Sequence, residues 1–283
     1  MNEKRELNIR VFNDTKSLCE TNKKLRDSIH KSNNAQYIVS ENEDFEVTKK
    51  HRFENEATIL VSKRRSLEAA SRYKRQKVCV HNFASATNPG GGVVKGATAQ
   101  EEAICRCSTL YFSIKNANSF YNSHKQMMQK GKMDVTYNDD CIYTPGVVAF
   151  KSDEHIPKLL PQEEWYDVDV ITCAAPNLRE NPSNKMNPNA GIKPVKLSNE
   201  ELKELHIKRM RRILDIAKRE KEDVIILGAF GCGAFYNPPE VVAKAMKQVV
   251  EEYKYDFKVI EFAIYCSKKD IQNYEIFKEI FKF

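Results

Sequence analysis

No stretch of this chain approaches the roughly 18 consecutive apolar residues that a membrane-spanning helix needs, so no span is predicted. The start, Met1-Asn2-Glu3-Lys4-Arg5, has no apolar run behind it; we therefore expect no secretory leader and a cytoplasmic protein. Internal repeats and low-complexity tracts are missing, which removes solenoid and array architectures. The 8 cysteines form no C-x-x-C pair and no grouping with the 6 scattered histidines, so a zinc module is not indicated. Reduced, buried thiols are expected instead of a disulfide framework. Glycine is scarce at 10 in 283 residues, and 7 of those fall in two short loops: Gly90, Gly91, Gly92 and Gly96, then Gly228, Gly231 and Gly233.

The net charge of +7 is carried by the front of the chain, where residues 1–77 hold 18 basic and 12 acidic side chains. A polyanionic partner fits this bias, and so does a solvated helix face. The densest run, Arg72-Tyr73-Lys74-Arg75-Gln76-Lys77, is the candidate for steering such a partner. No recognised nucleic-acid motif accompanies it, so direct nucleic-acid binding is not predicted.

The first 50 residues are polar, and a helix is expected around 14–30. Strands are predicted at 57–62, 77–85, 141–150, 168–175, 223–228 and 258–265, with helices at 66–73, 98–115, 199–220, 238–254 and 270–281. Such alternation argues for an α/β sheet covered on both faces. The runs Val224-Ile225-Ile226-Leu227 and Val168-Asp169-Val170-Ile171-Thr172 suit its central strands. Residues 176–197 contain 4 prolines and 5 asparagines and read as a long loop bordering a site, because they follow a central strand.

Each glycine cluster joins a strand to a helix, an arrangement that suits phosphate binding and close backbone approach. In the second loop Asn237 is expected as N-cap, with Pro238 in the first turn and Glu240 completing a box-like spacing. The sequence is neither G-x-G-x-x-G nor G-x-x-x-x-G-K-[ST], so no nucleotide-cofactor motif is present. In the first loop, Thr98 and Glu101 have capping-box spacing, which gives Glu101 a structural explanation. Glu102 lies just off the apolar stripe of the following helix and can point back over the glycines. A carboxyl there can protonate a leaving oxygen and then activate water, as glycosidic cleavage requires. Among other polar residues, His206 on a charged helix is expected to be exposed and His81 to be a satisfied core histidine. The Glu163/Glu164 pair before Trp165 is expected in a solvated turn.

The segment Asn88-Pro89-Gly90-Gly91-Gly92, followed seven residues later by Gln100-Glu101-Glu102, resembles the GGG-x(6–8)-QEE motif of macrodomain-type poly(ADP-ribose) glycohydrolases. The likeness is strongest to the compact microbial type. It extends to "YTPGVVAF" at 143–150 and "GAFGCGAF" at 228–235. The resemblance implies a three-layer α/β/α macrodomain with a central mixed sheet over 56–283 and a basic, mainly helical extension over 1–55. It makes Glu102 the catalytic acid/base and assigns ribose hydroxyls to Glu101. Asn88 would hold the terminal ribose, and Gly90, Gly91 and Gly92 would touch the diphosphate. Gly231, Cys232, Gly233 and Ala234 would grip the diphosphate from the other side, with Phe235 against the ribose and Gln100 orienting the glutamates. The implied partners are poly(ADP-ribose) or ADP-ribosylated macromolecules, with ADP-ribose as product and no membrane. No cofactor and no metal are implied. Removal of single ADP-ribose units from a protein or nucleic acid, and non-catalytic ADP-ribose binding, stand as the alternatives.

Overall fold

The computed structural model describes residues 3–44, 48, 50–266 and 270–282. Seven strands form one mixed sheet: β1 (Tyr37–Val39), β2 (Thr58–Ser62), β3 (Val78–Ala84), β4 (Cys141–Ala149), β5 (Tyr166–Ala174), β6 (Val224–Leu227) and β7 (Val259–Ala263). Their order is β1-β4-β5-β3-β6-β7-β2. The pairs from β5 to β2 run parallel, while β4 lies antiparallel to both β5 and β1.

Alternation along the central strands explains the two covered faces. Val78 and Val80 of β3, with Val224 and Ile226 of β6, pack beneath α3 (Ser66–Ala70), α4 (Gln100–Cys107) and α5 (Leu110–Ile114). The same core takes Phe12 from α1 (Glu3–Thr21). Cys79, Ile225 and Leu227 point the other way, to α7 (Asn199–Arg219), α8 (Pro239–Tyr253) and α9 (Gln272–Ile280). Helix α7 begins at a full capping box, with Ser198 accepting from the Glu201 amide while the Glu201 carboxylate accepts from the Ser198 amide.

Strand and helix positions agree with the sequence reading to within a few residues, with three exceptions. The helix expected over 98–115 is broken at Ser108, whose φ of −145° is extended. The Cys107 carbonyl there accepts from the Phe150 and Lys151 amides at 3.0 and 3.1 Å, so the end of β4 intercepts the helix. Strand β1 and α6 (Asn118–Gln129) were not anticipated, because neither carries a clean apolar period. At the front there are two helices, α1 and α2 (Lys23–Ala35), instead of one over 14–30.

Helix α1 is tied into the body at its start. Asn8 Nδ2 donates to the Gly96 carbonyl at 3.1 Å and Arg5 Nε to the Lys95 carbonyl at 2.7 Å. Gly96 has a φ of +75°, and a Cβ there would lie 2.4 Å from the Arg5 carbonyl oxygen. Gly96→Ala is therefore expected to lower stability by about 1–3 kcal/mol through backbone strain and loss of the α1 contact. Chemical denaturation checks this; an unchanged midpoint would contradict the clamp.

Candidate active site

Neighbouring strands β3 and β6 send the chain to opposite faces, β3 to α4 and β6 to α8, and a crevice opens beyond their carboxyl ends. It has a volume of about 880 Å³ and is lined by both glycine loops, Glu101, Glu102, the 176–197 loop and the start of α1.

The three consecutive glycines make room for the two carboxylates. Gly90 and Gly91 have φ of +70° and +56°, and a Cβ on Gly91 would stand 2.5 Å from Glu102 Oε1. The Gly92 amide donates to Glu102 Oε1 at 2.8 Å. Glu101 accepts from the amides of Ser85 at 2.8 Å and Gly90 at 3.2 Å, and from Asn82 Nδ2 at 3.4 Å. Glu101 is thus no capping residue: the N-cap of α4 is Ala99, with no side-chain cap bond, and Glu101 is drawn into the buried turn. Gln100 pins α4 to β3, accepting from the Phe83 amide at 2.9 Å and donating to the His81 carbonyl at 2.7 Å. Burial pushes both glutamates above the ordinary carboxylate range, Glu101 furthest because the Glu102 charge adds to the effect. The donors around Glu101 and the Gly92 amide on Glu102 act in the opposite sense. Glu102 Oε2 is buried and has no hydrogen-bond partner among the described residues.

The second loop is shaped by a residue with a different role from the one expected. Asn237 does not cap α8, whose N-cap is Pro238. Instead it is buried and donates to the carbonyls of Pro176 at 2.8 Å, Gly231 at 3.1 Å and Phe235 at 3.2 Å. His206 Nε2 lies 2.8 Å from Asn237 Oδ1. His206 is therefore buried and not exposed; burial lowers it to about 4 and keeps it neutral. It sits four residues after Leu202 and seven before Ile213 on the buried stripe of α7, a spacing that would have located it. His81 is buried as expected but neither ring nitrogen has a partner among the described residues, and burial lowers it to about 3.

The amides of the two loops differ in what they have left to offer. Those of Gly90 and Gly92 are engaged by the glutamates, and that of Gly91 by the Asn88 carbonyl at 2.9 Å. In the second loop the amides of Gly231, Gly233, Ala234 and Phe235 meet no acceptor among the described residues. The crevice brings together Gly91, Gly92, Gln100, Glu101, Glu102, Gly231, Gly233, Ala234 and Phe235. Asn88, Gly90 and Cys232 stand outside its lining. Asn88 bonds to Asn187 of the long loop, and the Cys232 side chain packs into the core while its amide donates to the Ala229 carbonyl at 3.1 Å.

The long loop closes one side. Asn187 reaches Ser85 Oγ at 3.1 Å and accepts from Thr87 Oγ1 at 3.2 Å, while the Leu178 amide donates to the Phe235 carbonyl at 3.0 Å. The sequence marked this segment as a border but did not single out Asn187. Among the described residues, no group of three or more His, Cys, Asp or Glu is placed to hold a metal ion, and no helix is long and apolar enough to cross a membrane.

Comparison with known proteins adds to this geometry. A family model described as the microbial-type PARG catalytic domain matches residues 8–152. The poly(ADP-ribose) glycohydrolase (PARG) of Thermomonospora curvata superposes with a TM-score of 0.79 at 26% identity, covering 97% of this chain and 99% of that one. The same protein bound to the inhibitor ADP-HPD gives a TM-score of 0.77 at 26% identity, with the same 97% and 99% coverage. The Deinococcus radiodurans poly(ADP-ribose) glycohydrolase, solved in complex with ADP-ribose, gives 0.71 at 27% identity over 89% of this chain and 96% of that one. No curated protein sequence matches.

Proposed function

Because the chain belongs to the microbial-type PARG family, we propose that it is a glycosidase that hydrolyses the ribose–ribose O-glycosidic bond of poly(ADP-ribose) and releases ADP-ribose. The observation that carries the reading to this chain's own residues is Glu102, a buried carboxyl of the cleft lining, held by the Gly92 amide through one oxygen and without a partner among the described residues at the other.

The free amides of Gly231, Gly233, Ala234 and Phe235 take the diphosphate of the terminal unit, and the Phe235 ring packs against its ribose. Glu102, whose protonated form burial favours, donates a proton to the ribose oxygen of the leaving chain as the C1–O bond breaks. The diphosphate and Phe235 flank the oxocarbenium-like centre. The Glu102 carboxylate then accepts a proton from the water that adds to C1, which restores the acid. Glu101 organises the glycine turn and accepts from a ribose hydroxyl with a remaining lone pair, while Gln100 fixes the start of the helix that carries both. Gly90 to Gly92 hold the glutamates at contact distance from the ligand, and Asn88 steadies the loop behind the terminal ribose. In this reading the macrodomain layout serves 56–283, and helices α1 and α2 with the edge strand β1 extend it.

Incubation of the purified protein with poly(ADP-ribose) tests the proposal; absence of free ADP-ribose would reject it. The acid role also fixes a pH dependence. Glu102 has a raised folded pKa, so the competent protonated form is present below that value and is lost as pH rises through it. kcat should fall on the alkaline side with a midpoint above the ordinary glutamate value of about 4.3. A midpoint at or below that value would remove Glu102 as the acid.

A further inference from the structure

Arg5 lines one rim of the cleft, and Lys95 and Lys185 stand next to the lining residues Gly96 and Met186. Arg5 Nε donates to the Lys95 carbonyl at 2.7 Å, and Lys95 Nζ donates to the Lys185 carbonyl at 2.9 Å. The Arg5 guanidinium also lies 3.9 Å from Met186 Sδ. These contacts set the Arg5 and Lys95 side chains against the backbone of Lys185 and the side chain of Met186, with Lys185 itself exposed beside them, and among the described residues no carboxylate forms an ion pair with any of the three cations. Glu3 and Glu6, on the same helix as Arg5, make none with them either. Cations elsewhere in the molecule do have such partners: Arg64 and Arg72 face Glu261, Arg211 faces Glu252, and Lys77 faces Asp169 and Glu222. Gathering like charges is unfavourable unless an anion joins them.

The location says which anion. Strand order places the second loop, after β6, on one side of Glu102, and the later part of the segment following β5, residues 184–187, lies against the first glycine loop. Met186 of that segment backs Gly92, where a Cβ would lie 3.3 Å from the Met186 Cβ, and Arg5 lines the same cleft. If the unit being released occupies the second loop, the oxygen that Glu102 protonates belongs to a group extending toward Arg5. The run at 72–77, by contrast, precedes β3, and the strand separates it from the glycine loop by about 20 Å. The steering role expected of Lys74, Arg75 and Lys77 therefore does not suit their position.

We propose that Arg5, Lys95 and Lys185 form a leaving-group subsite that binds the diphosphate of the next ADP-ribose unit, and so favours polymer over substrates whose leaving group is uncharged. The proposal rests on the glycohydrolase reading above. It is tested by kcat/KM on poly(ADP-ribose) and on an ADP-ribose carrying a small uncharged aryl leaving group. Wild type is compared with Lys95→Gln/Lys185→Gln and with Lys185→Glu, whose exposed side chain makes no bond among the described residues that could be lost. On polymer at low salt, both variants should lose about ten-fold, and the slope of log kcat/KM against log salt should flatten by about one. The aryl substrate should change by less than about two-fold. Equal losses on both substrates, or none on either, would overturn the subsite. Wild type that releases no ADP-ribose from polymer would sink the glycohydrolase reading itself, whereas release that the variants leave unaltered sinks only the subsite.

Discussion

Glu102→Gln is expected to lower kcat about 10²- to 10⁴-fold while ADP-ribose binds within a few-fold of wild type. The amide keeps the acceptor for the Gly92 N–H and the shape of the carboxyl, and loses the transferable proton. Because the unpartnered oxygen is the one that changes character, the melting temperature should move little. Glu101→Gln should fail by another route. Its carboxylate accepts from Ser85, Gly90 and Asn82, and an amide would turn N–H against N–H at one of these. That costs about 1–3 kcal/mol and loosens the glycine turn, so activity and melting temperature should fall together. Rates on polymer, calorimetric ADP-ribose binding and thermal melts of both variants separate the roles. Full activity in Glu102→Gln, or an inactive Glu101→Gln with wild-type stability, would exchange them.

The sheet was legible because its central strands are apolar on both faces and its helices carry clean periods. Val224 to Leu227 needs no context to read as a buried parallel strand. The break at Ser108 was not legible, since helix propensity continues through it and the competing donors to the Cys107 carbonyl are the amides of Phe150 and Lys151, 43 and 44 positions further on. The same limit explains the two misread caps. Thr98/Glu101 and Asn237/Glu240 have capping spacing, but Glu101 and Asn237 are each drawn by several buried partners into a loop, and tertiary bonds outcompete the local ones. The glycine-to-glutamate spacing did convey the heart of the site. What spacing cannot convey is which amides are left over: only the fold reveals that the Gly90 and Gly92 amides go to the glutamates while those of Gly231, Gly233, Ala234 and Phe235 meet no acceptor among the described residues.

That difference makes Gly231 and Gly233, two residues apart, behave unlike each other. Gly231 has a φ of +79°, and a Cβ there would lie 2.7 Å from Asn237 Nδ2 and 2.9 Å from the Ala175 Cβ. Gly231→Val should cost about 1–3 kcal/mol of stability, because backbone strain and displacement of Asn237 add. Gly233 needs no left-handed backbone, and a Cβ on it meets nothing within 4 Å although the residue lines the cleft. Gly233→Val should therefore melt within about 0.5 kcal/mol of wild type. Its side chain would stand where the diphosphate meets the loop amides, so ADP-ribose affinity should fall about ten- to a hundred-fold, an overpacking cost of about 1–3 kcal/mol. Adenosine, which lacks the diphosphate, should bind the wild type poorly and be little affected by Gly233→Val. Calorimetric titration of both ligands beside thermal melts gives the comparison. A stable Gly233→Val variant that binds ADP-ribose as wild type does would place the diphosphate away from these amides, and the terminal ribose would then have no anchor to bring it to Glu102.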